Sequence, residues 1–310
     1  MENNLTSFKD YLLDNNKLSA NSVTAYLSDL SDFESFLRAK NVDDLAAVSK
    51  ADVAAYLLGL KQSGKSAATV NRKLASIRAY YKYLIEKGVV QSSPASSVKT
   101  PRISRKQIEY LTLEEVDLLL AAPSESDIGR RDVAILEMLY ATGLRVTELM
   151  YVNIDDVNLR MGFVSCDGAH GKARIIPLGR PARAALEKYI YDVRPHFRRS
   201  AQDADDTDGG KRRGGVRDDG ALFLNYYGER ITRQALWKIM RGYAEKAGID
   251  KKITPQILRN SFAVHMIQNG ADLKSVQELM GHEDPVATQA YLAVSKNRIK
   301  DVYDSAHPRA

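Results

Sequence analysis

The sequence predicts a mainly α-helical protein: an N-terminal four-helix domain, then a larger, mostly helical domain carrying a small antiparallel β-sheet. Three observations predict it. Apolar residues recur at three- and four-residue spacing along most of the chain; short β-type runs bounded by glycine are few; and a serine-rich, basic stretch without periodicity separates two periodic regions. The length, 310 residues, suits two domains that each bury a core.

In residues 1–88, Val23, Tyr26, Leu27, Leu30, Phe33 and Leu37 share one helical face, and so do Val53, Tyr56, Leu57 and Leu60. Ser19, Ser49 and Ser66 stand where N-caps belong. In the fourth helix Val70, Leu74, Ile77, Tyr81 and Leu84 form an apolar stripe, Thr69, Arg72, Lys73 and Ser76 fall on another face, and Gly88 is a stop. Residues 89–108, containing QSSPASSVKTPRISRKQ, read as a basic linker.

The second domain, residues 109–310, opens on Thr112-Leu-Glu-Glu115, a capping box ahead of Val116, Leu119 and Leu120. A long helix from about Asp132 to Ala141 ends at Gly143. GFVSC (162–166) and ARIIPL (173–178), with Gly168 and Gly171 between them, read as a hairpin, and ALFLN (221–225) as a candidate third strand. Helices are expected over 181–192, 232–246 with Thr232 as cap, 255–268, 272–280 and 296–304. Segment 198–220 holds six basic and six acidic residues, five glycines and almost no apolar side chains, which predicts a flexible surface insertion.

The net charge of +6 is distributed unevenly. Residues 1–60 carry five Lys/Arg against nine acids, a net of −4, whereas residues 61–106 carry eleven against Glu86 alone, a net of +10. Such a block is either a solvated face or a surface for phosphates, whose neutralisation makes binding salt-dependent. Lys65, Thr69, Arg72 and Lys73 at and along the fourth helix and Arg102 and Arg105 in the linker are the candidate nucleic-acid contacts.

Several classes are excluded or disfavoured. A lone Cys166 rules out an intramolecular disulfide and suits a reducing cytoplasm. No apolar run approaches the ~18 residues of a membrane span, and the polar N-terminus is not expected to be a signal peptide. The histidines His170, His196, His265, His282 and His307 are scattered, which argues against a zinc site. Phosphate-loop, dinucleotide and GxSxG signatures are lacking, so no cofactor is expected.

Four segments stand in a distinctive order: ATGLRVTEL (141–149), GKARIIPLG (171–179), TPQILRNSFAVHMIQNGADL (254–273) and VQELMGHEDPVATQAYLAV (276–294). Together they resemble the catalytic domain of tyrosine site-specific recombinases of the phage-integrase family, most closely the bacterial Xer type. The resemblance takes in the N-terminal helical domain as a core-binding domain, the basic linker and the ending HPRA. It implies cleavage and rejoining of DNA strands through a covalent phosphotyrosyl intermediate, without ATP or metal, for chromosome-dimer resolution or for integration and excision of a mobile element. The implied partner is double-stranded DNA with inverted half-sites. The protein would bind as a dimer to tetramer, with itself or a paralogous recombinase, in the cytoplasm at the nucleoid, with segment 296–310 docked on a neighbouring protomer.

By this resemblance Arg145 and Arg259 face the scissile phosphate, for which a permanently charged planar fork is well suited. Tyr291 is the nucleophile and His282 bonds the phosphate or the nucleophile. Lys172 is the general acid for the leaving 5′-oxygen. The usual hairpin pattern resembles GKGxKxRxVPL, and aligned without gaps it puts Ala169 at the catalytic lysine; a loop of shifted register would still deliver Lys172, the alternative being a lysine that contacts the DNA backbone. The usual HxLRH is here Gln256-Ile-Leu-Arg259-Asn260. Gln256 shares a helical face with Arg259 and can donate a hydrogen bond but not a positive charge. Glu148 is expected to orient a neighbouring base or a basic side chain, since a carboxylate so near a phosphate is repulsive unless paired. These departures leave open a catalytically weakened DNA-binding architectural protein of the same fold. A type IB topoisomerase shares the chemistry, but length and Xer-like ends argue against it.

Overall fold

The computed structural model describes residues 2–15, 18–99, 107–167, 173–197, 220–281, 288, 289 and 291. Two compact units divide the chain, Met1–Lys106 and Gln107–Ala310. Among the described residues, the first unit contains α1 (Glu2–Asn15), α2 (Ala20–Ala39), α3 (Lys50–Gln62) and α4 (Ala67–Glu86). Ser19, Ser49 and Ser66 cap α2, α3 and α4, each side-chain oxygen accepting from a backbone N–H three residues on. Phe8, Leu30, Phe33, Leu37, Val53, Leu74, Ile77, Tyr81 and Leu84 fill the core, none more than 1 % exposed.

Three readings of this unit are corrected. Lys73, expected to face solvent, is 5 % exposed, and its ammonium lies 3.0 Å from Asp29 and 2.7 Å from Asp32. Ser76 is buried and donates to Asp29 at 3.0 Å. Both lie within the contact of α4 with α2, where Asp29 is itself buried, so the carboxylate draws the cation inward. The stretch read as a free linker is also partly packed. Val90, Ala95 and Val98 join the core, and Arg78 Nη2 donates to the Val98 carbonyl at 2.5 Å.

The second unit comprises α5 (Leu113–Ala121), α6 (Asp127–Thr142), α7 (Val146–Tyr151), β1 (Val157–Asn158), β2 (Phe163–Asp167), β3 (Ala173–Pro177), α8 (Arg180–Lys188), α9 (Arg233–Lys246), α10 (Pro255–Gln268) and α11 (Leu273–Met280). The capping box at Thr112 and Glu115 starts α5. Helix α6 begins five residues earlier than expected, capped by Ser126. It packs against α8 and α10 through a buried face that includes Ile135, Leu136 and Leu139.

The sheet is antiparallel in the order β1-β2-β3, with Val164 opposite Ile176 and Cys166 opposite Arg174. The hairpin is as expected, but the third strand is Val157–Asn158 rather than 221–225. Ala221 and Leu224 form only isolated bridges, to Asn153 and Arg230, and their segment is held by Arg194 donating to the Ala221 and Leu222 carbonyls. The insertion expected at 198–220 and the helix expected at 296–304 lie, except for Gly220, outside the described residues.

Candidate active site

Four local structures bring the predicted residues together. Helix α6 ends on Gly143 at φ +59°, and a Cβ there would come within 2.4 Å of the Phe262 ring, so only glycine fits. The chain then extends through Arg145, the N-cap of α7, and Glu148 sits one turn on. Its carboxylate accepts from the Arg145 backbone N–H at 2.7 Å, half of a capping box.

The other carboxylate oxygen binds the Arg145 guanidinium at 2.9 Å. Arg174, on β3, grips the same carboxylate with two parallel bonds of 3.0 and 2.8 Å. Arg259 Nη1 lies 3.9 Å away. Glu148 is thus the anionic hub of three cations, each within 4 Å of its carboxylate. Burial opposes its ionisation, but the bonds from Arg174 and from the Arg145 N–H outweigh that and hold its carboxyl below the ordinary value.

The three arginines converge again at the C-terminus of α11. Arg174 Nε donates to the Leu279 carbonyl at 2.8 Å, Arg259 Nη2 to Met280 at 2.6 Å, and Arg145 Nη2 to Gly281 at 2.8 Å. A helix end leaves such carbonyls unpaired and carries a partial negative charge, so three cations suit it. Gly281 has φ +61°, and a Cβ there would lie 2.8 Å from Arg174 Nη1. The arginine cluster therefore fixes where the chain leaves α11, immediately before His282.

The two predicted arginines are not equivalent. Arg145 is 36 % exposed in its side chain and lines a cleft of about 350 Å³ together with Thr147, Glu148, Tyr151, Ser165 and Asp167. Arg259 is 2 % exposed and also donates to the Gly143 carbonyl. Burial, then the Arg145 charge, push its pKa down to about 10, which leaves it cationic at neutral pH. Arg145 can present its fork outward, and Arg259 acts as a fixed charge behind it.

Tyr291 is 4 % exposed and packs with Phe262, Val276 and Met280. Its hydroxyl donates to Asn260 Oδ1 at 3.0 Å. Burial raises its pKa, against the lowering charges of Arg259 and Arg145. Gln256 is exposed and shares the predicted face with Arg259, but its Nε2 donates to Asn260 Oδ1 at 2.9 Å. Lys172 and His282 lie outside the described residues, as do Arg102 and Arg105. Among the other candidate DNA contacts, Lys65 is exposed, Thr69 is half-buried and bonded to Ser66, and Arg72 is exposed but paired with Asp29. Lys73 is engaged internally and drops out. Among the described residues, no cluster of three His, Cys, Asp or Glu could hold a metal, and no helix is long and apolar enough to cross a membrane.

Sequence reasoning missed two participants. Arg174 shares the partly buried face of β3 with Ile176, and a cation on such a face demands a buried partner. That demand was the signal. Asn260 was visible only as a departure from HxLRH, with nothing local to give it a role.

Comparison with known proteins covers both units of the chain. Residues 109–298 match the phage integrase family and residues 5–88 the phage integrase N-terminal SAM-like domain. The chain is 42 % identical over 312 residues to the tyrosine recombinase XerD of Listeria monocytogenes serotype 4b (strain F2365), covering all of both chains. It is 41 % identical to that of Oceanobacillus iheyensis over 313 residues, again with full coverage of both. Among solved structures, XerH site-specific recombinase bound to palindromic difH substrate, a post-cleavage complex, shares the fold with a TM-score of 0.72 at 21 % identity, over 90 % of this chain and 78 % of that one. A lambda integrase dimer bound to a COC′ core site gives a TM-score of 0.71 at 17 % identity, over 94 % of each. The chain belongs to the phage integrase family and is a tyrosine recombinase of the Xer type.

Proposed function

We propose that this recombinase cleaves and rejoins a specific duplex site with Tyr291 as nucleophile and Arg145, Lys172, Gln256, Arg259 and His282 around the scissile phosphate. Arg145 turns its outer N–H groups to the non-bridging oxygens, while Arg259 adds a buried positive charge that costs no reorganisation as the transition state gains negative charge. Tyr291 Oη forms a bond to phosphorus as the bond to the 5′-oxygen breaks. The phenol proton leaves through His282 or water, and Lys172 protonates the departing 5′-oxygen. The phosphotyrosyl ester retains the bond energy, and attack by another 5′-hydroxyl reverses the step without ATP. The observation that carries this reading is the Glu148 carboxylate binding Arg145 beside a buried Arg259, both donating to the end of α11, with Tyr291 in the cluster packed on that helix.

In this account residues 1–88 form the DNA-binding helical domain and 109–310 the catalytic domain. The basic stretch at 89–108 connects them, and Lys65, Thr69, Arg72, Arg102 and Arg105 meet the phosphate backbone. Two protomers occupy inverted half-sites and a tetramer holds two duplexes, with itself or a paralogous recombinase. The protein works in the cytoplasm, on chromosome dimers or a mobile element.

The test begins with a duplex enriched by binding from a random library, then nicked near its centre so that cleavage is trapped. The native protein forms a covalent adduct in EDTA buffer and Tyr291→Phe forms none. Tight binding without an adduct would instead favour the architectural alternative.

A further inference from the structure

Asn260 lies on α10 beside Arg259, and its side chain makes three directed bonds. Nδ2 donates to the Glu109 carbonyl at 2.9 Å. Oδ1 therefore faces away from Glu109, where it accepts from Gln256 Nε2 at 2.9 Å and from the Tyr291 hydroxyl at 3.0 Å. The next residue, Ser261, accepts from the Leu111 N–H at 2.8 Å. The chain at 109–111 is thus clamped to α10 at two points, the Glu109 carbonyl and the Leu111 N–H.

An amide oxygen can accept a hydrogen bond from a phenol but is far too weak a base to take its proton. A bond made to the neutral form of a group favours that form. The Tyr291–Asn260 bond therefore has to open before Oη can attack phosphorus, because the phenolate and the amide oxygen are both acceptors. We infer that Asn260 is a positioning residue that latches Tyr291 as a neutral phenol before cleavage, the latch itself being anchored to the backbone at Glu109. Asn260 stays out of contact with the reacting atoms. A displacement of the chain at Glu109 lengthens the anchoring bond, lets the amide turn and releases the hydroxyl. The inference rests on Tyr291 being the nucleophile.

The test separates the two claims. 3-Fluorotyrosine is placed at position 291 of the full chain, and its ionisation is followed by fluorine NMR against pH without DNA. Losing one hydrogen bond to the neutral phenol, with water entering to donate to the phenolate, raises the ionisation constant of Asn260→Ala by about threefold to tenfold. Single-turnover cleavage of the nicked duplex rises by a similar factor, and duplex affinity is unchanged. Asn260→Ser, whose shorter side chain falls short of both Glu109 and Tyr291, moves the same way and serves if the alanine variant folds poorly. An ionisation constant that is unchanged or lower in the folded variants overturns the latch, even if the native protein cleaves normally. A raised constant with no adduct from the native protein or any variant shows that Asn260 holds the neutral phenol, but it removes the cleavage reading on which its role as a latch rests.

Discussion

Glu148→Gln removes charge from the centre of the arginine cluster while keeping its shape. The native carboxylate accepts four bonds, two from Arg174, one from the Arg145 guanidinium and one from its backbone N–H, at 2.7 to 3.0 Å. Glutamine keeps one acceptor oxygen and turns an NH₂ toward the donors on its other side, so about half of these bonds are lost. A half-broken buried ionic cluster costs roughly 3–5 kcal/mol, because the remaining cations lose their counter-charge. For a unit of this size each kcal/mol lowers the melting temperature by about 2–4 °C, so Tm of the second unit falls by roughly 6–20 °C. Single-turnover cleavage falls about a hundredfold as Arg145 loses its fixed direction. The Glu148 carboxyl titrates below its ordinary value in the folded protein. Its contribution is therefore present above the unfolded-state pKa and is lost as pH falls through the folded one. The gap between native and variant melts thus closes toward acid pH. Calorimetry across pH reads both effects. Coincident melts at neutral pH, or a gap that persists at acid pH, would refute the hub assigned to Glu148.

Four further outcomes follow from contacts elsewhere in the two units. Gly281→Ala forces a Cβ to 2.8 Å from Arg174 at φ +61°, costs about 1–3 kcal/mol, and reduces cleavage more than DNA binding, which a binding assay run beside the cleavage assay reads directly. Lys73→Met strips Asp29 and Asp32 of a buried partner and lowers the stability of the first unit by about 1–3 kcal/mol, with no change in the salt dependence of DNA binding. Lys65→Gln does the reverse, leaving stability alone and flattening the slope of log K against log salt by about one. Gln256→His keeps or raises the cleavage rate, since an imidazolium there adds charge that an amide cannot, and a collapse in rate would give Gln256 a role of its own.

The elements legible in the sequence were those whose signal is local. Ser19, Ser49, Ser66, Thr112 and Thr232 all cap the helices they were read as starting, because a cap depends on residues within one turn. Gly143 and Gly281 end their helices in the left-handed conformation for the same reason. What escaped was set by partners far along the chain. Lys73 looked like a surface cation until Asp29, from another helix, drew it inward. The start of α6 was obscured by Gly129, Arg130 and Arg131, although Arg131 is buried against Asp132 and the Leu224 carbonyl. The 157–158 strand is too short to show alternation, while the apolar run 221–224 is buried without being a strand. At the site, Arg145, Arg259 and Tyr291 could be read because their motifs are specific in order. Arg174 and Asn260 could not be given roles without the side chains of Glu148 and Tyr291 beside them.

The central claim is that Tyr291 carries the broken strand. The chain has 16 tyrosines, and the tryptic peptide from Ser275 to Lys296 contains Tyr291 alone among them. The covalent adduct trapped on the nicked duplex is digested with trypsin and nuclease, and the nucleotide-bearing peptide is sequenced by mass spectrometry. The account predicts a nucleotide on Tyr291. A nucleotide on any other residue, or an adduct that survives Tyr291→Phe, would contradict it.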